Sequence, residues 1–594
     1  MGELNTIKRL FDIPAYQLNT FNLDKAFSTK YNGVWKSISS QQFIDQSNAI
    51  SRGLLRLGVM PNDKIAIISS TNRMEWNICD IGILQTGAQN VPVYPTISKE
   101  DYQFVLNHSE AKYCFVSDAT VLEKLNQIKE NTQLKAVFTF DQITNEQNWN
   151  EVLQLGEDKS NQKEVDQIKE GITIDDIATL IYTSGTTGKP KGVMLSHGNL
   201  ISNVLATSKK LPLDNGKDGA LSFLPLCHVF ERMIIYLYQY SGITVHYAES
   251  IDKLMENVQE VQPQIMTAVP RLYEKIYDKI LAKGADLTGI KKKLFFWAID
   301  LGLKYEPYTK QKPLYALKLK IARKLIFSKW QQAIGGNIKL MISGGAALQN
   351  RLTKIFAAAE MPIVEGYGLT ETSPVISFNE PKSGEYMVGT IGKVIELVNV
   401  KIATDGEILV KGPNVMQGYY KDTEKTAEVM TGEYFHTGDI GEITADGFLR
   451  ITDRKKEIFK TSGGKYIAPT PIENQLKQSQ FIEQVMVVGE GEKMPAAIIQ
   501  PNFEYLSQWA LLHNIAFKSN EELIANERVI ERLEKEINFH NKNFGNWEQI
   551  KKFELTADEW STLGGQLTPK MSMKRKAIKD IYIELYERIY RKEE

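Results

Sequence analysis

The stretch of sequence with the strongest structural signal is residues 182–193, which read Tyr-Thr-Ser-Gly-Thr-Thr-Gly-Lys-Pro-Lys-Gly-Val. The apolar run just before it, residues 177–182, predicts a buried strand that leads into a loop. Glycines let backbone N–H groups turn toward an anion, hydroxyl side chains add donors, and lysines add positive charge. We therefore predict a polyphosphate-binding loop formed by Thr183, Ser184, Gly185, Thr186, Thr187, Gly188, Lys189 and Lys191.

Two other interpretations of this loop are a P-loop and a solvated linker. A P-loop requires G-x-x-x-x-G-K followed by Ser or Thr. Here Pro190 follows Lys189, and the spacing from Gly185 to Gly188 is too short, so the P-loop interpretation fails twice. A solvated linker rich in Gly, Ser and Thr stays open on the loop alone, and only the rest of the chain argues against it.

Four further motifs follow the loop along the chain. They are Gly366-Tyr367-Gly368-Leu369-Thr370-Glu371-Thr372, Tyr434-Phe435-His436-Thr437-Gly438-Asp439, Asp453-Arg454-Lys455-Lys456-Glu457-Ile458-Phe459-Lys460 and Ser462-Gly463-Gly464-Lys465. Each motif alone is typical of an ordinary turn. In this order, and together with the loop, they make the chain resemble the adenylate-forming superfamily of acyl-CoA synthetases, luciferases and peptide-synthetase adenylation domains, from about residue 20 onward.

Composition limits the class of protein. The 594 residues exceed the usual size of one domain, and 42% hydrophobic with 24% charged residues is typical of a globular protein. A net charge of −1 gives no overall basic field to attract nucleic acid. Three scattered cysteines fit a reducing compartment, and no apolar run reaches the ~18 residues that span a bilayer. We expect a cytoplasmic protein that is neither exported nor membrane-spanning, and its oligomeric state stays open.

The predicted fold class is α/β. Apolar runs at 64–69, 114–116 and 338–342 predict buried strands, and residues 40–57 predict an amphipathic helix. The polar stretch 156–171 predicts an exposed connection. The resemblance implies a large multi-sheet N-terminal domain with layered helices, residues 1–455, and a smaller mobile α+β C-terminal domain, residues 456–594, with a hinge near Lys456.

The resemblance also implies an activity, the ATP-dependent activation of a carboxylic acid to an acyl-adenylate. The loop would then hold the β- and γ-phosphates, while Glu371 and Thr183 would bind Mg²⁺ and Thr370 would contact the α-phosphate. Around the base, Tyr367 would offer its ring to adenine, with Gly344, Glu365 and Gly366 beside it.

Residues of the later motifs would complete the nucleotide and thiol sites. Asp439 would accept hydrogen bonds from the ribose hydroxyls, and Arg454 would fix the ribose or a phosphate. The remaining residues assigned to cofactor binding are Lys456, Lys460, Gly463 and Gly464. The two glycines lie in a loop, residues 461–466, that would admit the coenzyme A thiol after the small domain rotates.

The catalytic lysine is expected near the C-terminus, where residues 567–576 read Leu-Thr-Pro-Lys-Met-Ser-Met-Lys-Arg-Lys. The spacing from Thr568 and Pro569 favours Lys574. Lys570 stands where related proteins have threonine, so it remains an alternative.

Three segments resemble long-chain acyl-CoA synthetases in particular, namely residues 224–232, 269–278 and 343–348. Within the first, His228 would lie near the reacting carboxylate and phosphate. Some long-chain enzymes carry a gating tryptophan a few residues later, where this chain has Arg232, so the preferred chain length stays open. The expected partners are a long-chain fatty acid, ATP and coenzyme A.

The segment 279–330 contains 13 Lys and Arg against 3 Asp and Glu, interleaved with aromatic residues. Such a pattern indicates peripheral contact with an anionic membrane, at the inner face of the cytoplasmic membrane, or else a solvated face above ordinary core packing. No motif accompanies it that would support nucleic-acid binding.

The sequence alone leaves several alternative functions open. A fatty acyl-AMP ligase would pass the acyl group to a carrier protein, and an aryl- or short-chain-CoA ligase or a luciferase-like oxygenase would share the adenylation step. A non-catalytic lipid-binding protein on the same fold is the alternative from a different class.

Overall fold

The computed structural model describes residues 7–183, 189–568 and 571–591, which form two compact units. The first unit comprises the described residues of Met1–Tyr273, Ala282–Val400 and Leu409–His436. The second comprises those of Glu274–Leu281, Lys401–Ile408 and Thr437–Glu594. The hinge predicted at Lys456 falls within the sequence of the second unit and stays a prediction.

Two large sheets form the first unit. The seven-stranded sheet has the order Gly418–Tyr419, Lys191–Ser196, Ile177–Thr183, Gln89–Val93, Lys64–Ile68, Ala111–Val116 and Ala136–Thr139. Its five strands from Ile177–Thr183 onward run parallel. They are almost continuously apolar, as expected for parallel strands that are covered on both faces.

The second sheet of this unit has nine strands. Their order is Lys393–Val394, Val375–Phe378, Ile363–Gly368, Leu340–Ser343, Ile265–Ala268, Gly219–Ser222, Thr244–Tyr247, Phe27–Tyr31 and Val34–Ile38. The six central strands are parallel, and antiparallel strands close both edges. Loops that follow the carboxyl ends of parallel strands are the usual place for a ligand site in such sheets.

Helices surround these sheets. Those of the first unit, with Pro270–Ala285 running through both units, are Ile13–Thr20, Ser40–Arg56, Met74–Gln85, Lys99–Ser109, Ala119–Asn126, Trp149–Leu155, Gln162–Gly171, His197–Ser208, Val229–Tyr240, Leu254–Val261, Pro270–Ala285, Gly289–Leu303, Pro313–Ala322, Ser328–Ala333, Asn350–Ala358 and Thr423–Glu428. Shorter helical turns are Leu10–Asp12, Lys129–Asn131, Lys159–Asn161, Thr370–Thr372 and a π-helical turn at Arg323–Phe327.

The second unit contains a three-stranded sheet, Ile482–Val488, Ala496–Pro501 and Phe553–Leu555, and the short pair Phe459–Lys460 and Tyr466–Ile467. Its helices are Pro469–Leu476, Phe503–Leu512, Asn520–Ile524, Glu527–Asn541, Arg575–Ile581 and Ile583–Tyr590. Strands Asn399–Ile402, Glu407–Lys411 and Tyr434–Ile443 each have residues assigned to both units, whereas Met430–Thr431 belongs to the first unit and Leu449–Arg454 to the second. A mixture of helices with a small sheet is the α+β composition expected of the C-terminal part.

Most predicted elements are confirmed. The helix predicted at 40–57 is observed at Ser40–Arg56, and it begins at a capping box in which the Ser39 hydroxyl accepts from the Gln42 N–H at 3.1 Å. The connection predicted at 156–171 is wrong in part, because residues Gln162–Gly171 form a helix. The helix has two aliphatic side chains, Val165 and Ile168, of which only Val165 is buried, and two such residues are too few to reveal a helix by periodicity.

A buried ion pair links two helices of the first unit. Arg232 on helix Val229–Tyr240 donates to Asp80 on helix Met74–Gln85 at 2.6 Å, and both side chains are fully buried. A second Arg232 nitrogen donates to the Thr179 hydroxyl of the seven-stranded sheet at 2.7 Å. The Asn90 amide donates to the same Asp80 oxygen at 2.6 Å. The guanidinium and the carboxylate of the pair therefore both have hydrogen-bond partners, which a buried charge pair requires.

Two further predictions from the sequence concern membrane-spanning helices and the three cysteines. None of the described helices is both long and apolar enough to cross a membrane. Cys79, Cys114 and Cys227 are all buried, and none of the three is in a disulfide. They behave as small apolar residues, which agrees with the absence of metal-binding spacing in the sequence.

We predict that Asp80→Asn lowers the free energy of unfolding by about 3–5 kcal/mol, because it leaves the buried Arg232 guanidinium without a carboxylate. Urea titration monitored by tryptophan fluorescence measures the change. The matched control is Asp300→Asn, which removes an ion pair to Lys304 whose side chains are 66% and 65% exposed and should have no measurable effect. A similar loss in both variants would contradict the prediction.

Candidate active site

The predicted phosphate loop connects two antiparallel strands of the seven-stranded sheet. Thr183 ends strand Ile177–Thr183, and it pairs in register with Lys191, the first residue of the next strand. Lys189 is exposed. Ser184, Gly185, Thr186, Thr187 and Gly188 lie outside the described residues. The described ends of the loop therefore place Thr183 and Lys191 side by side.

Glu371 lies next to this hairpin through an intermediate tyrosine. The Tyr419 hydroxyl donates to Glu371 Oε1 at 2.9 Å, and the Lys191 ammonium lies 4.9 Å from the centroid of the Tyr419 ring. Burial, followed by the Glu371 carboxylate, raises the pKa of Tyr419, which keeps its hydroxyl protonated as a donor. A cation, an aromatic ring and a carboxylate thus meet at one end of the seven-stranded sheet.

Two buried asparagines hold the turn that carries Thr370 and Glu371. The Asn203 side chain accepts from the Val375 N–H at 2.7 Å and donates to the Val375 carbonyl at 3.1 Å. The Asn414 amide donates to the carbonyls of Thr372 and Val375, both at 3.1 Å. Because these bonds satisfy the backbone on the far side of the turn, its position is fixed from helix His197–Ser208 and from the segment around Asn414.

The residues predicted to surround adenine lie on neighbouring strands of the nine-stranded sheet. Ser343, which precedes Gly344, pairs in register with Glu365, and Gly366 and Tyr367 follow on the same strand. A Cβ atom at Gly344 would lie 3.1 Å from the Phe230 ring, so a larger residue would need the ring to shift. Tyr367 is buried. The four predicted residues are therefore brought together by strand register.

Glu365 is buried within this group. Its Oε1 accepts from the Thr353 hydroxyl at 3.0 Å. Burial raises the pKa of Glu365 to about 7, against which the Thr353 hydrogen bond acts. A carboxyl group in this state can be a hydrogen-bond donor as well as an acceptor near neutral pH.

His228 caps helix Val229–Tyr240. Its Nδ1 accepts from the Phe230 N–H at 3.1 Å, which puts the proton of the neutral imidazole on Nε2. The ring lies 6.5 Å from that of Tyr94. Arg232, one helical turn later, is committed to its ion pair with Asp80, so it cannot act as a gate in the way that a tryptophan would.

Glu231 lies between these two residues in the sequence and is also buried. It accepts from the Ser222 hydroxyl at 2.5 Å, and the Asn72 amide donates to the same hydroxyl at 2.9 Å. Burial raises the pKa of Glu231 to about 8. The carboxyl group is therefore neutral in the folded protein below that pH.

In the second unit, Asp439 and Arg454 are paired in register across a hairpin. Arg454 Nε lies 3.4 Å from Asp439 Oδ1, and Asp439 is buried while Arg454 is exposed. Gly438 before them has φ +74°, which favours glycine, and its N–H donates to Glu407 Oε1 at 2.9 Å. The Thr-Gly-Asp motif thus lies within strand Tyr434–Ile443, where a glycine accommodates the positive φ beside Asp439.

Glycine occurs at the two positions of the predicted thiol loop for different physical reasons. Gly464 has φ +78°, and its N–H donates to the Thr461 carbonyl at 2.9 Å, so the turn itself favours glycine. A Cβ atom at Gly463 would meet nothing closer than 4.0 Å. Packing therefore does not require a glycine at position 463. Access of a ligand to the backbone would explain why a glycine stands there. Lys456 and Lys460 are exposed on the same segment.

Lys574 is exposed and directly precedes helix Arg575–Ile581, and its N–H donates to the Gln566 carbonyl at 2.8 Å. The next residue, Arg575, donates to Glu473 at 2.6 Å and to Glu457 at 3.0 Å. Glu457 follows Lys456 in the chain. The Arg575 contacts therefore tie the segment of Lys574 to the segment of Lys456, while Lys570 lies outside the described residues.

Sequence reasoning missed the residues that support the site. Tyr419, Asn203 and Asn414 belong to none of the motifs, and Arg575 lies in the quoted segment 567–576 without an assigned role; each acts on a motif residue far away in the sequence. Arg575 could have been suspected because it adjoins Lys574. The other three carry no sequence signal of their own, since their roles depend on strand pairing and helix packing.

Two family profiles match the chain. The first is described as AMP-binding enzyme and matches residues 17–420. The second is described as AMP-binding enzyme C-terminal domain and matches residues 456–594. Together they cover most of the sequence.

Curated relatives match over nearly the whole length. A long-chain-fatty-acid–CoA ligase of Mycobacterium bovis is 34% identical over 585 residues, which cover 95% of this chain and 94% of the relative. Long-chain-fatty-acid–CoA ligase 1 of Cavia porcellus is 32% identical and covers 95% of this chain and 84% of its own length. Among solved structures, o-succinylbenzoate CoA synthetase of Bacillus subtilis, in complex with its acyl-adenylate intermediate, has a TM-score of 0.66 at 18% identity, with 96% of this chain and 98% of that chain covered.

We predict that Glu231→Gln stabilises the protein increasingly as pH rises. In the parent, Glu231 is protonated when folded up to about pH 8 and ionised when unfolded above its ordinary pKa, so stability is lost as pH rises between these values. Glutamine has no proton to lose. The difference in Tm between variant and parent should be near zero at about pH 5 and clearly positive at about pH 8.5. The exposed Glu256→Gln is the control, and a Tm difference that does not change with pH would contradict the assignment.

Proposed function

This chain belongs to the AMP-binding enzyme family, and we propose that it is a long-chain-fatty-acid–CoA ligase that releases AMP and pyrophosphate. The observation that carries the proposal is the 34% identity, over 95% of the chain, to a relative of that name. The cluster of Lys191, Tyr419 and Glu371 supports it, because nucleotide activation needs a cation and a carboxylate where phosphates bind.

The first half-reaction would form an acyl-adenylate. An oxygen of the fatty acid carboxylate attacks the α-phosphorus of ATP, the bond from that phosphorus to the bridging oxygen of the β-phosphate breaks, and pyrophosphate leaves. Negative charge grows on the α-phosphate, so positive groups and fixed donors would lower the barrier. We assign Lys574, Thr370 and His228 to this role, and residues 183–191 to the β- and γ-phosphates.

Mg²⁺ fits the donors near Glu371. In nucleotide sites this ion is held by one or two carboxylates together with phosphate oxygens, so a single carboxylate suffices. Oε1 of Glu371 accepts the Tyr419 hydrogen bond, which orients the carboxylate toward a fixed direction. Glu371 and Thr183 would hold the ion, and when bound it would neutralise phosphate charge.

The second half-reaction would form the thioester. The sulfur of coenzyme A attacks the acyl carbon of the adenylate, the bond between that carbon and the AMP oxygen breaks, and the thiol proton passes to solvent. We assign Gly463 and Gly464 to the approach of the thiol, since neither presents a side chain. Asp439 and Arg454 are assigned to the ribose. A cytoplasmic location is part of this proposal, and buried cysteines that are not in disulfides agree with it.

A fatty acyl-AMP ligase is the second candidate, because it would use the same adenylation residues and transfer the acyl group to a carrier protein. The two candidates differ in their dependence on coenzyme A.

We predict that AMP release, measured with ATP, Mg²⁺ and fatty acids from C6 to C20, depends on coenzyme A and is greatest with long chains. Each additional methylene in an apolar site contributes about 0.8 kcal/mol, so two carbons shift affinity roughly tenfold. Adenylate formation that is unaffected by coenzyme A would indicate a carrier-protein acceptor. No pyrophosphate release with any acid would contradict the enzyme proposal itself.

We predict that Lys574→Ala separates the two half-reactions. Pyrophosphate release should fall about 10²–10³-fold, the usual cost of removing one preorganised charge-stabilising group. Thioester formation from supplied acyl-AMP and coenzyme A should change little, because the thiol attacks the acyl carbon and the α-phosphorus is no longer the centre under attack. Lys576→Ala, an exposed lysine two residues later, is the matched control. Equal losses in both half-reactions would contradict the assignment of Lys574.

A further inference from the structure

We infer that helix Pro313–Ala322 docks the protein onto an anionic phospholipid bilayer. This helix has two apolar faces. One is buried in the first unit, where Leu319 is 3% exposed and Ala322 is fully buried. The other faces solvent, with Leu314, Leu317 and Ile321 exposed by 66%, 58% and 44%. A helix that needed only to cover its own core would carry polar residues on this outer face.

The exposed side chains form one stripe along the helix. Their spacings of three and four residues put them on the same side, since an α-helix turns once in 3.6 residues. Leu325, four residues after Ile321, is also exposed, by 42%, and lies in the π-helical turn that follows. From Leu314 to Leu325 the stripe extends roughly 16 Å at about 1.5 Å per residue. The three exposed apolar side chains of the helix therefore form one strip, and Leu325 follows at its end.

Basic residues border the stripe. Residues 310–329 contain seven Lys and Arg and no Asp or Glu. At 100° per residue, Lys318 falls on one side of the stripe and Lys320 on the other, and Lys324 follows in the next turn. All three are exposed, and within the described part of the chain none of them forms an ion pair. Their charges are therefore available to an external anion.

The helix is firmly attached to the unit behind it. The Tyr315 hydroxyl donates to the Leu301 carbonyl of helix Gly289–Leu303 at 2.7 Å, and Arg323 Nε donates to the Ala358 carbonyl at 2.9 Å. Beyond it, the rings of Phe327 and Trp330 pack together with centroids 5.0 Å apart. The outer stripe is thus presented by a fixed helix, and its inner face already has its partners.

A bilayer with anionic headgroups fits this combination best. Leucine and isoleucine can enter the acyl region while lysine stems reach back to the phosphates. Each lysine near an anionic surface contributes about fivefold to partitioning. Nucleic acid would use the charges but leave the apolar stripe in water. An acidic protein partner would use both and is the competing outcome. The inference does not depend on which acid or acceptor the enzyme uses.

The test is co-sedimentation of the full chain with vesicles of phosphatidylcholine alone and with about a quarter phosphatidylglycerol. We expect binding to the anionic vesicles and weaker binding to the neutral ones. The double variant Leu314→Ser/Leu317→Ser should lose at least about tenfold in affinity. The triple variant Lys318→Gln/Lys320→Gln/Lys324→Gln should lose about 100-fold, and high salt should weaken the parent similarly.

Matched controls come from elsewhere on the chain. Leu511→Ser/Leu512→Ser removes two leucines exposed by 66% and 81%, and Lys99→Gln/Lys159→Gln/Lys163→Gln removes three exposed lysines. Both should bind like the parent. Unchanged Tm of each variant, and unchanged turnover of a soluble C8 acid, show that the fold is intact.

Three results would overturn the inference. Equal binding to neutral and anionic vesicles would remove the role of the lysines. Loss in the lysine variant without loss in the leucine variant would indicate a surface for polyanions in general. No binding of the parent to either vesicle would leave a protein partner as the occupant of the stripe.

Discussion

The interaction on which the first unit depends is the buried pair of Arg232 and Asp80. A guanidinium and a carboxylate without water must satisfy each other, and here Thr179 and Asn90 of the seven-stranded sheet complete their hydrogen bonds. The pair therefore fixes helix Val229–Tyr240 against helix Met74–Gln85 and against the sheet. The N-cap of the same helix is His228, one turn before Arg232. A constraint deep in the core thus sets the position of a residue assigned to the reaction.

The candidate site is built on rigid elements from several parts of the chain. The loop ends at Thr183 and Lys191 are held by strand pairing, and the turn of Glu371 is held by Asn203 and Asn414. Tyr419 joins the two through its ring and its hydroxyl. Groups that stabilise developing charge work best when they need not reorganise during the reaction. Buried amides with satisfied hydrogen bonds provide that rigidity.

Much of the fold and of the motif residues could be predicted from the sequence, because the signals are local. Strand Ile177–Thr183 is a continuous apolar run, and helix Ser40–Arg56 has both its period and its cap in the sequence. The sequence does not predict helix Gln162–Gly171, because its single buried side chain, a valine, does not repeat at helical spacing. Asn203 and Asn414 were missed for another reason. They are ordinary residues whose function comes from long-range pairing with Val375, and one sequence alone contains no trace of that pairing.

The contacts of Arg575 bear on how this protein can vary through evolution. Arg575 is shared between Glu457 and Glu473, so its loss would leave both carboxylates without this cation, and loss of either glutamate would leave Arg575 with a single carboxylate. The exposed Lys576, two residues after Lys574, forms no comparable ion pair within the described part of the chain and can vary more freely. Lineages should therefore change the three charged residues together or keep them all. The ion-paired residues that hold the segment of Lys574 should then be more conserved than the exposed residues around that lysine.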